Sequence, residues 1–145
     1  MNKPRRAWLL LLLLGLAPGV HAACSISTTN VAFGSYDPFS STPTVSTGSL
    51  DVKCPGGGLT AFTITLSTGS GTYAARAMTS GSHQLLYNLY LDASYVTIWG
   101  DGTAGTGTLQ DSTNKNTYTI YGRIPALQNA WVGSYSDTIV VTITY

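Results

Sequence analysis

Charged side chains are rare in this 145-residue sequence, and glutamate is absent altogether. Only 9% of the residues are charged, all six acidic residues are aspartate, and the chain has two cysteines and two histidines. Glutamate and lysine are strong helix formers, so their scarcity, together with abundant serine, threonine and glycine, argues against a helical protein. The composition therefore predicts an all-β fold.

The first 22 residues have the three parts of a secretory signal peptide. Residues 1–6 carry three basic side chains, residues 7–17 form an apolar run, and small residues end at Ala22. The apolar run is too short to cross a bilayer, which takes about 20 residues, so it is the core of an export signal. We expect cleavage after Ala22, leaving residues 23–145 as one exported domain, long enough to bury its own core.

Removal of the leader changes the net charge from +1 to −2, because three of the seven basic residues lie within it. The four that remain, Lys53, Arg76, Lys115 and Arg123, are spread along the chain. Nucleic-acid-binding proteins instead gather lysine and arginine on one face. We therefore expect no nucleic-acid partner.

Cys24 and Cys54 are the only cysteines, and export brings them into an oxidising compartment. The simplest expectation is one structural disulfide between them. The alternative is a lipid-modified Cys24 at the mature N-terminus. His21 argues against it, since lipoprotein signals carry an aliphatic residue there, and lipidation would leave Cys54 unpaired.

Short runs rich in apolar and β-branched residues recur along the mature chain, separated by clusters of Gly, Pro, Asn and Asp. Alternation of apolar and polar residues is clearest around Val52 and Ile64, which predicts strands with one buried face. Seven such runs favour an antiparallel sandwich of immunoglobulin-like type, in which the disulfide would join the first two strands. The predicted strands are 26–33, 50–54, 62–66, 85–91, 97–99, 118–124 and 138–145.

The last run, residues 138–145, has high β propensity and contains no charged residue, no proline and no glycine. At a sheet edge such a segment would pair with another chain, because proteins usually protect their edges with charge, proline or bulges. In the middle of a sheet it would need no protection. Its periodicity alone favours the central position.

Two segments match known binding motifs, one for dinucleotides and one for calcium, but neither has the neighbouring residues that such a site requires. The Gly-x-Gly-x-x-Gly pattern at 100–105 has no helix after it to hold a phosphate, and the calcium-like loop at 111–116 carries Lys115 where an oxygen ligand is required. His83 is the only mature histidine. We predict no enzyme activity, no cofactor, no metal site and no small-molecule substrate, and we expect Arg76 and Arg123 to pair with buried aspartates.

Taken in order, several short motifs resemble the spore coat protein U domain family, which is shared with subunits of Csu-type, or archaic, chaperone-usher pili. The resemblance covers nearly all of the mature chain, and its specificity comes from the joint order of the motifs. They are Phe-Gly-Ser-Tyr-Asp-Pro at 33–38, Arg-Ala-Met at 76–78, Tyr-Asn-Leu-Tyr-Leu-Asp-Ala at 87–93, Trp-Gly-Asp-Gly at 99–102, Tyr-Gly-Arg-Ile at 121–124, Gly-Ser-Tyr-Ser-Asp at 133–137 and Val-Thr-Ile-Thr-Tyr at 141–145.

This resemblance implies an incomplete immunoglobulin-like sandwich that lacks its last strand. A periplasmic chaperone would lend a strand, an outer-membrane usher would direct assembly, and an extension of a neighbouring pilus subunit would then take over the groove. The resemblance reverses the interpretation of residues 138–145, which would then lie at the edge next to the missing strand and not in the middle of a sheet. Ile139, Val141, Ile143 and Tyr145 would then point into the core and line the groove for the partner strand.

The implied function is that of an exported structural subunit of a pilus or coat on the cell surface, supporting attachment or biofilm formation. Only Ala23 precedes Cys24 after the expected cleavage, so we expect a chain that accepts a strand but does not donate one. The alternative is a stand-alone secreted carbohydrate-binding or adhesin module, with tyrosines, Trp99 and Trp131 as stacking platforms for sugar rings.

Overall fold

The computed structural model describes residues 24–54 and 61–145, so the predicted leader lies outside the described residues. Within these ranges the protein is all-β, and no helix there is long and apolar enough to span a membrane. The strands are β1 Ser25–Thr29, β2 Thr44–Lys53, β3 Phe62–Leu66, β4 Arg76–Ser80, β5 His83–Tyr90, β6 Leu109–Asp111, β7 Lys115–Ile124 and β8 Val141–Thr144.

The strands form two antiparallel sheets that pack as a sandwich, as predicted. A five-stranded sheet has the order β1-β2-β7-β5-β4, and a three-stranded sheet has the order β6-β3-β8. Alternate residues of each strand point to the interior, as in β3, where Phe62, Ile64 and Leu66 are buried and the two threonines between them are not. Each fully buried aliphatic side chain contributes about 1.5–3 kcal/mol.

Two strands were not among the predicted runs, and one predicted strand is absent. β4 and β6 are short and contain Arg76, Thr79, Gln110 and Asp111, so they lack the apolar alternation that identifies a strand in a sequence. Residues 97–99 form only isolated bridges, Ile98 with Tyr90 and Trp99 with Gly107. The neighbouring glycine-rich loop keeps this segment too irregular for a continuous ladder.

The predicted disulfide is present and joins the first two strands. Cys24 precedes β1, Cys54 follows β2, and Ser25 lies opposite Lys53 in the ladder between them. Cys54 is buried with the core residues. The cross-link therefore closes the end of the β1–β2 pair over the core.

Arg76 is fully buried, but it does not pair with an aspartate as expected. Its guanidinium donates to the carbonyl oxygens of Ser67 and Trp99 at 2.7–3.0 Å and to Oδ1 of Asn88 at 2.7 Å. Burial lowers the pKa of Arg76, although nearby Tyr87 and other groups act in the opposite direction. Carbonyl dipoles therefore replace the expected carboxylate, and they fix β4 against the loops after β3 and before Gly100. Arg123 lies over the Tyr95 ring instead, with 5.7 Å from its Cζ to the ring centroid.

After β1 the chain crosses the inner face of the five-stranded sheet, and two glycines make room for it. A Cβ on Gly122 would lie 2.5 Å from Cγ1 of Val31 and 2.8 Å from Cζ of Phe33. A Cβ on Gly48 would lie 2.6 Å from the carbonyl oxygen of Thr29. The crossing segment can therefore sit directly on β2 and β7 only where these strands carry no side chain.

We predict that Gly122→Ala lowers the free energy of unfolding by about 1–3 kcal/mol, because the added methyl group forces Val31 and Phe33 away from the sheet. Urea unfolding measures the change. Val31→Ala in the same chain removes one of the two clashing side chains, so the double variant should lose less stability than the sum of the single variants. Strict additivity would contradict the close contact.

The second prediction concerns the disulfide. Replacing both Cys24 and Cys54 by serine should lower the free energy of unfolding by about 3.5–4 kcal/mol, because the unfolded chain regains the entropy of a loop of about 30 residues. Urea unfolding of the double variant measures the loss. Unfolding of the parent chain in a reducing buffer is the matched control and should show a loss of the same size.

Candidate functional site

The last strand has one free edge. β8 pairs with β3, with Thr63 opposite Thr144 and Leu66 opposite Val141, and no second strand flanks it in the described part of the chain. The backbone N–H of Ser67 donates to the carbonyl oxygen of Val140 at 3.0 Å. Antiparallel ladders alternate, so residues 140, 142 and 144 direct their backbone groups to β3. Residues 139, 141 and 143 consequently direct theirs to the open edge.

The side chains of this segment alternate as predicted from the sequence. Ile139, Val141 and Ile143 are half-buried and pack against the core cluster, whereas Val140 between them is 60% exposed. Tyr145 differs: it follows the last residue of β8, has no partner in the ladder and is 58% exposed. Three of the four predicted groove residues therefore face the interior. That all four line a partner-strand groove remains a prediction.

Beside the free edge lies a cavity of about 470 Å³. The end of β1 and the segment that follows it form one wall, residues 135–141 form the other, and side chains of the core form the floor. The floor consists of Leu66, Met78, Tyr87, Leu89 and Ile120, and the first wall includes Thr28, Val31 and Phe33. The cavity thus reaches the core between two stretches of backbone that do not pair with each other, and Met78 is the floor residue that is only partly buried.

A second cavity of about 570 Å³ continues the first one. Both are lined by Val31, Phe33, Met78 and Tyr135, which places the junction between residues 31–33 and Tyr135. The second cavity lies between residues 31–38 and residues 130–135. We call the two cavities together the groove. The groove follows residues 130–141, so Ile139 and Val141 line it, and Val141 is the one residue of β8 that does.

Asp137 holds the wall of the groove in place where the chain passes from one sheet to the other. Ser136 forms two backbone hydrogen bonds with Thr79 of β4, at 2.9 and 3.1 Å, whereas four residues later the chain joins β3. Between these points Oδ1 of Asp137 accepts from the N–H and hydroxyl of Ser70, at 3.0 and 2.9 Å. Oδ2 accepts from the hydroxyl of Tyr87 at 2.8 Å.

The surroundings of this carboxylate are shaped to it. Burial, and then the hydrogen bond to Asp137, raise the pKa of Tyr87, which stays a neutral donor. Gly69 has a φ of +62°, and a Cβ there would lie 2.0 Å from Oδ2 of Asp137. An aspartate in a turn commonly bonds nearby backbone, and Asp137 does accept from the N–H of Thr138. The sequence gives no sign of its contacts to Tyr87 and Ser70, which lie 50 and 67 residues away.

The groove is suited to binding extended backbone. Its lining combines apolar side chains with a row of outward-facing N–H and C=O groups, which is the arrangement that accepts an additional strand. In the described ranges no group of three or more His, Cys, Asp or Glu side chains could hold a metal ion. The disulfide cysteines lie at the end of the β1–β2 pair and do not line either cavity.

The two tryptophans considered as sugar platforms differ in position. Trp99 is fully buried and its indole N–H donates to the carbonyl oxygen of Ile64 at 3.0 Å, so the alternative function loses this residue as a platform. Trp131 is 65% exposed and stacks on His83 with 5.0 Å between ring centroids. Because glycines follow Trp99 in the sequence, the sequence alone did not identify Trp99 as a core residue.

Sequence and fold comparisons agree with this architecture. The sequence profile of the Spore Coat Protein U domain matches residues 11–142. Protein U of Myxococcus xanthus is 31% identical over 153 aligned positions, which cover 91% of this chain and 83% of that protein.

A solved structure shares the immunoglobulin-like fold. It is the crystal structure of the CsuC–CsuE chaperone–tip adhesion subunit pre-assembly complex from the archaic chaperone-usher Csu pili of Acinetobacter baumannii, with a TM-score of 0.58 and 21% identity. The match covers 85% of this chain and 39% of that chain, so the chain spans about two fifths of the solved relative. Because the sequence profile spans nearly the whole sequence, this chain belongs to the Spore Coat Protein U domain family.

Proposed function

We propose that the chain is an exported structural subunit of a chaperone-usher pilus or surface coat, and that it is completed by a strand from a partner. The observation that carries this proposal is the free edge of β8 beside an accessible core. Family membership supports the general role, and the geometry supports the way in which the partner is held.

The physical reason is that an extended strand would give the free edge its missing backbone hydrogen-bond partners and would fill the groove with side chains. Backbone groups of Ile139, Val141 and Ile143 face the open edge, and a strand laid along it would pair with them. Alternate side chains of the same strand would enter the groove and cover the partly buried Met78, Ile139 and Val141. Each aliphatic side chain buried in this way contributes about 1.5–3 kcal/mol, so a few of them suffice for a stable complex.

The partners we propose follow from this mode of binding. A periplasmic chaperone lends the first strand, an outer-membrane usher directs assembly, and a neighbouring subunit supplies the permanent strand. The chain is exported, cleaved after Ala22, oxidised at Cys24 and Cys54, and delivered to the cell surface as part of a fimbrium or coat, where it supports attachment or biofilm formation. Its role is structural and not enzymatic.

Co-expression with the chaperone from the same bacterium tests the proposal. We expect a soluble complex of one chaperone and one subunit, with the chain expressed alone forming aggregates or unfolding at a markedly lower temperature. A chain that is monomeric and thermally stable by itself, and that ignores the chaperone, would end the proposal.

A pair of neighbouring substitutions tests which residues face the partner. Val141→Asp places a charge in the groove and should abolish capture by the chaperone, whereas Val140→Asp on the opposite face of the same strand should leave capture unchanged. Pull-down from the periplasm measures both. Val141→Ala, which keeps the strand apolar, should weaken capture without abolishing it. Equal loss from the two aspartate variants would contradict the assigned faces.

Deletion of Tyr145 tests the end of the chain. The resemblance to chaperone-usher pilus subunits implies that basic chaperone residues anchor the subunit's terminal carboxylate. We therefore expect weaker capture, because the deletion moves this carboxylate by one residue. Tyr145→Ala keeps the carboxylate in place and is the matched control. The idea fails if the deletion and the substitution weaken capture to the same extent.

A further inference from the structure

The fold brings together three basic residues that are far apart in the sequence. Lys53 of β2 lies opposite Lys115 of β7, and Arg123 lies further along the same two strands, opposite Val45. These positions alternate with the buried Leu50, Val52, Ile120 and Ile124. All three therefore point away from the core, on what we call the outer face of the five-stranded sheet. The fourth basic residue of the described chain, Arg76, is buried.

The strands between these basic residues present mainly hydroxyl groups. Thr29, Ser49 and Thr119 lie side by side across three strands, and the hydroxyls of Thr29 and Ser49 are 2.9 Å apart. Asp51 is the one acidic residue on these strands of the outer face, and it accepts a hydrogen bond from the hydroxyl of Thr117. The outer face of these strands is therefore polar and carries three basic residues against one acidic residue, although the mature chain carries a net negative charge.

An aromatic cluster occupies the end of the outer face that holds Arg123. Tyr121 lies opposite Tyr90 in the ladder between β7 and β5. The Tyr95 ring packs edge-to-face on both, with centroid distances of 5.6 Å to Tyr90 and 6.5 Å to Tyr121. The Arg123 guanidinium lies over the Tyr95 ring at 5.7 Å.

The hydroxyl groups of these three tyrosines have no hydrogen-bond partner in the described protein, which sets them apart from most of the other tyrosines. Five other tyrosines donate to the chain: Tyr36 to Pro125, Tyr73 to Leu66, Tyr87 to Asp137, Tyr118 to Asp111 and Tyr135 to Trp131. Those five brace the fold. The hydroxyl groups of Tyr90, Tyr95 and Tyr121, together with the guanidinium of Arg123, therefore remain available to bind a partner outside the chain.

The loop that carries Tyr95 is held rigidly. Tyr95 has a φ of +55°, which is unfavourable for a bulky residue. The Asp92 carboxylate accepts from the N–H groups of Ser94, Val96 and Thr97 at 2.8–3.2 Å. These bonds, that of Thr97 first, lower the pKa of Asp92, so the brace stays ionised at neutral pH. Strained residues fixed in this way cluster at binding sites.

We propose that the outer face binds an extended acidic polysaccharide, with a uronic acid carboxylate on Arg123 and the sugar ring against the tyrosine cluster. Arginine recognises a carboxylate through two parallel hydrogen bonds, and an aromatic ring packs against the apolar face of a sugar. From Arg123 the chain of sugars would follow the hydroxyl rows to Lys53 and Lys115. The eight residue steps from Lys115 to Arg123 along β7 span about 26 Å, enough for several linked sugars.

The spacing of the charges favours an acidic polysaccharide over a nucleic acid. Double-stranded DNA carries one charge per ~1.7 Å, and its binding proteins match it with closely placed basic residues. Here Arg123 lies about 26 Å along β7 from the Lys53–Lys115 pair, and serine and threonine occupy outer-face positions between them. The outer face also lies on the far side of the five-stranded sheet from the groove, so this site does not depend on the proposed function and stays accessible when the groove is filled.

The test uses the exported full chain and a galacturonic acid hexamer as the probe, with the neutral galactose hexamer as its counterpart. Isothermal titration calorimetry should show binding of the acidic hexamer only, and binding should weaken when the salt is raised from about 50 to 500 mM. Arg123→Gln and Tyr121→Ala should each weaken binding about 10-fold. Lys53→Gln with Lys115→Gln should produce a smaller loss, about 3-fold.

Phe39→Ala is the matched control, since it removes an aromatic residue that is 88% exposed and belongs to none of the strands of the outer face, and it should leave binding unchanged. Thermal unfolding of each variant confirms that the fold is intact. Equal binding of the two hexamers, no binding of the acidic hexamer, or an equal loss in the Phe39 variant would overturn the proposal. Tighter binding of a single-stranded oligodeoxythymidine through the same residues would overturn it in favour of a nucleic-acid site.

Discussion

The unpaired edge of β8 is the constraint on which the rest of the structure depends. Backbone N–H and C=O groups need partners, and a partly exposed floor residue such as Met78 needs cover. The chain places its segment 28–33 across the gap from β8, and the described residues form no ladder between the two. The described sandwich therefore has an unpaired strand edge and a cavity of about 470 Å³ beside each other.

The groove stays open because contacts outside it hold both of its walls in place. Gly48 and Gly122 let the first wall sit directly on the five-stranded sheet, where Val31 and Phe33 pack against it. The second wall is fixed by hydrogen bonds of Asp137 to Tyr87 and Ser70. Both supports lie outside the edge that would accept a strand. A partner can therefore enter without breaking contacts that the chain already makes.

Alternation in the sequence predicted the strands that carry the core, because Leu50, Val52, Phe62 and Ile64 follow the period of a half-buried strand. It could not predict β4, since Arg76 breaks the apolar alternation, and the carbonyl oxygens that satisfy its guanidinium come from other segments of the chain. The inward direction of Ile139, Val141 and Ile143 was predicted correctly. The exposed position of Tyr145 was not, because alternation continues in a sequence after the ladder has ended.

Long-range contacts explain what else the sequence concealed. Basic residues 70 positions apart, such as Lys53 and Arg123, look scattered along the chain, and only the pairing of β2 with β7 puts them on one face. The same ladder turns Leu50 and Ile120 inward and Ser49, Thr119 and Tyr121 outward, so one register determines both the core and the outer face. A shift of that register by one residue would bury the lysines and expose the core. The outer face is thus held in place by the same packing that closes the sandwich, and it needs no support from whatever strand fills the groove.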